Sequence, residues 1–433
     1  MTESTATQDT HSTQQSDPQN PDKNYGIVLY GATSFVGELT AEYLHRFLNP
    51  NYNANDSEVK WAIAGRNEHK LNDVKDTINA PDLPTILADS NDLASLNAMC
   101  EQAKVVISTV GPYLKYGENL IQACVNNGTD YVDLTGEAIF IKDMMDKYSD
   151  DAKASGARIV NSCGFDSIPS DLGVLFTQNY AKDKFGEVFD TIHMRVKASK
   201  GGLSGGTIAS MATIFEEVGT NKQRRKQLAN PYLLVQDSNP PSVRQTSHRT
   251  PSYDDTHERW VAPFVMETIN SRIVHHTNQL KDYAYGRDFK YDEAMWMPDG
   301  MKGRVMSYGM TAGLAGFALG MSFDKTRDLL NDKVLPKAGT GPSKSERDNG
   351  YFDIRFFADT VDGEKVQTQV KGDKDPGYGG TCQMLAQSAL CLLKDVSKDE
   401  VQGGFWTPAS AMGEKLIKRL ESHAGLTFAV IDG

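Results

Sequence analysis

An apolar run, Tyr25 to Tyr30 (YGIVLY), passes directly into a glycine-bearing turn, Gly31 to Gly37 (GATSFVG), and then into a helical stripe. The stripe sets Val36, Leu39, Tyr43, Leu44, Phe47 and Leu48 on one face before Pro50 ends it. A short apolar strand of this kind is buried on both sides, as in a parallel sheet covered by helices. Gly31 permits a tight turn, and Gly37 lets the helix approach the strand. The helix N-terminus then offers free N–H groups to a pyrophosphate. The turn reads Gly-x-x-Gly-x-x-Gly with Ser34 in the middle place, and Thr33, Ser34, Phe35 and Val36 complete the expected phosphate loop. The residues leave open whether Ser34 costs space there or donates its hydroxyl to phosphate.

The same alternation repeats. Strands are expected at Val59 to Ala64, Thr85 to Ala88, Lys104 to Thr109, Tyr131 to Leu134 and Arg158 to Ser162. Helical patterns lie between them near Glu68 to Ile78, Leu93 to Gln102, Glu118 to Asn126 and Glu137 to Ser155. Such alternation implies right-handed crossovers and a doubly wound parallel sheet of the Rossmann type, with ligand at the carboxyl ends of the strands. The second strand ends in Gly65 and Arg66, where a site selective for NAD would carry an acid. A guanidinium there grips a 2′-phosphate, so NADP(H) is the expected cofactor. Asp89 and Ser90 after the third strand either touch the adenine or cap the next helix. Val110 and Gly111 offer backbone to the cofactor, and Pro112 fixes the exit of their loop.

With 433 residues the chain allows two or three cores at about 100 to 200 residues each. Met1 to Asn24 is too polar to order itself and has no signal-peptide stretch, so a disordered tail on a cytoplasmic protein is expected. The net charge of -12 opposes nucleic acid. The five cysteines contain no Cys-x-x-Cys pair, which fits reduced thiols, and the nine histidines form no metal-ligand pattern, so no metal is expected.

Beyond Asp171 the alternation fades. A strand is expected at Thr191 to Ser199, a flexible loop at Gly201 to Gly206, a helix at Thr207 to Ala229 and a surface loop or lid at Asn230 to Glu258. Trp260 to Leu280 resumes an apolar pattern. Tyr351 to Asp359 and Val366 to Val370 form a hairpin about Asp362-Gly363. The second domain is thus mixed α+β. Val305 to Phe323 is uncharged, with Gly309, Gly313, Gly316 and Gly320 on one stripe. It is expected as a buried or dimer-interface helix, with a peripheral lipid contact and a membrane span as the alternatives.

The loops together resemble the saccharopine dehydrogenase-like oxidoreductases, and most of all their trans-acting enoyl reductase branch. The resemblance rests on GATSFVG, Gly65-Arg66, Thr109 to Tyr113 with Tyr116-Gly117, Tyr131 to Glu137 (YVDLTGE) and Cys163 to Asp171 (CGFDSIPSD). Gly201 to Thr207, Asp375 to Thr381 (DPGYGGT) and Gly404 to Met412 fit it too. Ser34 departs from the family's usual middle glycine. The resemblance implies an NADP(H) oxidoreductase with C-terminal helices that return to the cofactor domain. The expected division is a tail at 1–24, a Rossmann domain at 25–170, a substrate or oligomerisation domain at 171–375 and terminal helices at 376–433.

Enoyl reduction of a lipophilic, acyl-type small molecule is the leading expectation. A saccharopine-type dehydrogenase would need arginines such as Arg195, Arg272 and Arg355 gathered around carboxylates. An NADP-binding protein without turnover, attached to lipid through 305–323, is the third reading. For chemistry, the Cys163 to Asp171 loop is expected to face the nicotinamide. Asp166 and Ser167 are its candidate catalytic residues, or else caps of the following helix. Cys163, counted among the cofactor contacts, is expected as a buried small residue rather than a nucleophile, and Tyr113 and Tyr116 are alternative proton donors.

Overall fold

Alternate residues of the first strands enter two separate cores, as a sheet covered on both faces requires. Ile27, Leu29, Ile63, Val105 and Ile107 face one; Val28, Tyr30, Ala62, Ala64 and Val106 face the other. The computed structural model describes residues 23–201, 205–255, 257–321, 326, 341–360 and 363–431. All but the last two residues of the expected tail lie outside them.

The first domain runs β1 (Tyr25–Tyr30), α1 (Phe35–Phe47), β2 (Trp61–Gly65), α2 (Glu68–Thr77), β3 (Thr85–Leu87), α3 (Leu93–Cys100) and β4 (Ala103–Ser108). It continues through α4 (Tyr113–Tyr116), α5 (Glu118–Asn126), β5 (Asp130–Asp133), α6 (Ala138–Ser155), β6 (Arg158–Val160) and α7 (Ile168–Phe185). The strands are parallel in the order β6-β5-β4-β1-β2-β3, so Ile27 sits between Trp61 of β2 and Val105 of β4. The order reverses between β1 and β4. That switch point opens the crevice in which the site lies.

The second region holds β7 (Thr191–Lys200), α8 (Gly205–Thr220), α9 (Lys222–Ala229), β8 (Ser252–Asp254), β9 (Arg259–Pro263), α10 (Glu267–Leu280), β10 (Lys290–Trp296) and α11 (Gly300–Met321). After it come α12 (Lys344–Asp348), β11 (Tyr351–Asp359), β12 (Lys365–Gly372), a π-helical turn (Pro376–Gly380) and α13 (Thr381–Lys394). The chain closes with β13 (Gly404–Trp406), α14 (Pro408–Ala411), α15 (Gly413–His423) and β14 (Leu426–Ile431).

The second sheet is mixed, in the order β14-β12-β11-β7-β10-β9-β8. Only the β10–β7 pair is parallel. The hairpin is found with Phe356 opposite Thr368, although Asp362 of its turn lies outside the described residues.

Several expectations are corrected. The helix foreseen over 207–229 is two helices, broken where the Asn221 side chain accepts from the N–H groups of Gln223 and Arg224 and starts α9. The loop at 230–258 contains strand β8. The terminal stretch does pack α13 on α1 and on the first sheet, but it also adds β13 beside β6 and β14 beside β12. The described part of the 305–323 segment, residues 305–321, is not a core helix; 322 and 323 lie outside the described residues. In α11, Val305, Met306, Tyr308 and Leu319 are exposed, and a methyl group added at Gly309, Gly313 or Gly316 would touch nothing. Among the described residues no helix is long and apolar enough to cross a membrane.

Candidate active site

The phosphate loop is defined by backbone approach. A Cβ on Gly37 would stand 2.2 Å from the Gly31 carbonyl oxygen, and Gly31 itself has φ +87°. Only glycine fits either place. Ser34 has a role that neither reading gave, the cap of α1: its hydroxyl accepts from Gly37 N–H at 3.0 Å and meets the Thr109 hydroxyl at 3.0 Å. Thr109 in turn donates to the Gly31 carbonyl at 2.9 Å. The N–H groups of Phe35 and Val36 have no acceptor among the described residues, which is the arrangement an anion needs. At the end of β2, Arg66 is exposed and forms no ion pair among the described residues. These features fit NADP(H): a cradle without side chains, open amides, and a free guanidinium where an acid would exclude a 2′-phosphate.

The neighbouring loops are held by buried carboxylates. Asp133 accepts from Tyr131 Oη at 2.9 Å, Thr135 N at 3.1 Å, Asn161 Nδ2 at 2.8 Å and Ser162 N at 2.9 Å. Burial raises its pKa to about 6, opposed by those bonds. Glu137 accepts from Tyr113 N at 2.9 Å, Leu114 N at 2.8 Å and Ser210 Oγ at 2.5 Å, joining the 111–114 loop to α8. Its pKa is also raised by burial. In the π-helical region Asp375 accepts from Tyr378 N and Gly379 N. This sets the Tyr378 ring edge-on to Phe35 at 5.0 Å, while the Tyr378 hydroxyl accepts from Gly205 N–H.

Asp166 is different. It accepts no hydrogen bond and forms no ion pair among the described residues, and burial raises its pKa to about 7. It lies where two apolar cavities meet. The first, of about 370 Å³, begins at Ser34, Phe35, Thr109 and Gly136 and continues along Ile214, Met266 and Ile269. The second, of about 320 Å³, is lined by Phe165, Val196, Met295 and Leu314. Such a constellation can place an apolar substrate between a cofactor and a single proton-carrying group.

The remaining candidates separate by placement. Ser34, Phe35, Val36, Gly111, Tyr113 and Asp166 line the first cavity. Tyr113, however, donates its hydroxyl to the Ser108 carbonyl at 3.0 Å, and burial, with Asp133 nearby, pushes its pKa well up. Tyr116 is exposed and lines neither cavity. Cys163 is fully buried with its thiol toward the Val160 carbonyl, so it packs in the core as expected of a small residue and lines neither cavity. Ser167 begins α7 without a side-chain cap bond, and its hydroxyl is buried without a partner. The capping reading of Asp166 and Ser167 therefore falls.

Asp89 accepts from the following Asn91, and the cap of α3 is Asp92. Ser90 gives its carbonyl to Asn119. Thr33, Val110 and Pro112 lie on loops at the strand ends, and Gly65 is the last residue of β2. The bonds by which Glu137 ties the Tyr113–Leu114 backbone to α8, and the α8 wall of the first cavity, are features the sequence reading missed. Their partners are 23 to 73 residues away, and no local pattern marks such pairs. Arg195 and Arg355 are cross-strand neighbours on β7 and β11, but their charges are already paired, and none of Arg195, Arg272 and Arg355 lines the two cavities beside Asp166. Arg195 is paired with Asp254 and Asp292, Arg355 with Asp353, and Arg272 binds the carbonyls of Thr268 and Leu228.

Residues 27–160 match the saccharopine dehydrogenase NADP binding domain. A Mycobacterium tuberculosis protein provisionally named a trans-acting enoyl reductase is 39% identical over 410 residues, spanning 92% of this chain and 96% of the relative. The Mycobacterium leprae trans-acting enoyl reductase is 36% identical over 416 residues, spanning 93% and 97% respectively. Among solved structures, the apo form of the L-Glu-forming saccharopine dehydrogenase of Saccharomyces cerevisiae overlays with a TM-score of 0.52. That overlay has 11% identity and covers 94% of this chain and 100% of the yeast one, a likeness of fold.

Proposed function

Because this chain belongs to the trans-acting enoyl reductase branch of the saccharopine dehydrogenase-like family, and is an NADP(H)-dependent oxidoreductase, we propose that it reduces the C=C bond of a lipophilic, acyl-type substrate. The observation that carries this reading is the bare Asp166 carboxyl between two apolar cavities. Among the described residues no cluster of cations lines them to hold the carboxylates of an amino-acid imine.

Bound NADPH supplies the hydride that reaches one carbon of the double bond. The Gly31 to Gly37 loop and the open amides of α1 would hold its pyrophosphate, and Arg66 would hold its 2′-phosphate. Leu134, Ile214, Val265, Met266 and Ile269 keep water from the reacting carbons. Asp166, protonated up to about pH 7, gives its proton to the second carbon and recovers one from solvent. The exposed apolar face of α11 supports a contact with lipid or with a second copy; liposome flotation and light scattering separate these.

The test is NADPH oxidation against matched enoyl thioesters and amino-acid imines, with products read by mass spectrometry. Enoyl substrates should be saturated at their double bond. Asp166→Asn should lower kcat by about 10²- to 10⁴-fold without changing NADPH affinity. Turnover of imines alone, or wild-type turnover by the variant, would overturn the proposal.

A further inference from the structure

A third cavity, of about 580 Å³, lies beyond the reaction site between α8, α9, α10, α11 and residues 245–249. It shares Met211, Phe215, Leu228, Val265 and Thr268 with the first cavity, so the two are separated by one layer of side chains. Its walls differ in character from end to end. Phe215, Leu228, Leu314 and Phe317 form an apolar side, whereas Arg225, Arg249, Arg272 and Glu267 form a charged one.

The charged side is unbalanced. Arg225 and Arg249 form no ion pair among the described residues. Arg272 is 5% exposed and spends its two terminal nitrogens on the carbonyls of Thr268 and Leu228. Its Nε is buried without any partner, a donor that folding leaves unsatisfied. Glu267 is the only carboxylate there without a hydrogen bond among the described residues. The other, Glu293, accepts from Tyr291 and Asn270. Three guanidinium groups thus face one free carboxylate. Guanidinium groups bind carboxylates and phosphates through charge-assisted bonds.

We propose that this cavity is a binding site for an anionic amphiphile, with an alkyl chain along the α8 and α11 wall and a carboxylate or phosphate at Arg249 and Arg272. The site lies outside the reductase reading, and its occupancy can be measured without turnover. Failure here therefore leaves that reading untouched, and failure of enoyl reduction leaves this one standing.

The experiment is calorimetric titration of the full chain with dodecanoate, dodecyl phosphate, dodecanol and inorganic phosphate, below the micellar range, with NADPH binding as the check on folding. Both chain anions should bind at least about tenfold more tightly than dodecanol. A preference for dodecanoate identifies a fatty carboxylate as the source, and a preference for dodecyl phosphate identifies a phosphoester. Displacement of dodecyl phosphate by inorganic phosphate would show that the head group itself is recognised. Arg249→Ala, at an exposed position, should weaken the anions severalfold and leave dodecanol unchanged. Glu267→Gln removes the competing charge and should tighten anion binding. Equal affinity for dodecanol and the anions, or weaker anion binding by Glu267→Gln, overturns the site.

Discussion

On the sheet side of the cleft the groups offered to ligand are backbone atoms, set by glycine turns and by carboxylates that are already saturated. Asp133 takes four hydrogen bonds and Glu137 takes three. Across the cleft the wall is made of apolar side chains of α8 and α10, and facing it from the end of β6 stands one carboxyl, Asp166, that takes no hydrogen bond among the described residues. Burial raises the pKa of all three acids, so the shift alone does not separate scaffold from chemistry. The count of partners does. A buried acid whose lone pairs are filled fixes loops, whereas one left bare in a cavity is available to a substrate.

The contrast breaks most severely at Gly37. Leucine there would drive its Cβ into the Gly31 carbonyl, and NADPH binding should be lost while circular dichroism still reports a folded chain. Normal binding by a folded variant would mean that the turn is not the cofactor site. Next in size, Arg66→Ala should weaken NADPH by about ten- to a hundredfold and leave NADH unchanged, as read by titrating both. An equal loss for the two cofactors would take the 2′-phosphate away from Arg66.

Glu137→Ala leaves two backbone N–H groups and a hydroxyl without their acceptor and should lower stability by about 1 to 3 kcal/mol in denaturant unfolding. The smallest effect sharpens the comparison by its sign. Asp166 has its pKa raised from 3.8 to about 7, so the folded chain keeps a proton that the unfolded chain releases between those values. Its contribution to stability is present at low pH and is lost as pH rises toward 7. Asp166→Asn should therefore melt higher than wild type at pH 8, with the gain shrinking toward pH 5. A destabilisation equal at both pH values would show that the carboxylate has a structural partner.

The sheet side was the more legible because its signals are local. A run such as YGIVLY and a turn such as GATSFVG carry strand, glycine geometry and helix start within about a dozen residues, and Arg66 announces itself by standing where an acid belongs. Asp166 was legible through its place after the last strand of the βα series. What the sequence withheld depends on neighbours distant in the chain. Tyr113 was a fair proton donor until the Ser108 carbonyl took its hydroxyl. The apolar character of α11 was plain, but its exposure is set by what fails to pack on it. Strand β13, three residues long, gives no periodicity to read.

The final stretch of the chain gives an edge strand to each sheet, β13 to the first and β14 to the second. During synthesis, then, both sheets wait on the same last residues. The first sheet gains its seventh strand only once residues 404–406 are made, so the last step of its assembly follows synthesis of the second region. Such long-range strand pairing is slow to form, so nascent chains would pass a period with two incomplete sheet edges open to each other's neighbours. In the completed protein the same arrangement ties the stability of the cofactor domain and of the substrate wall to a single segment.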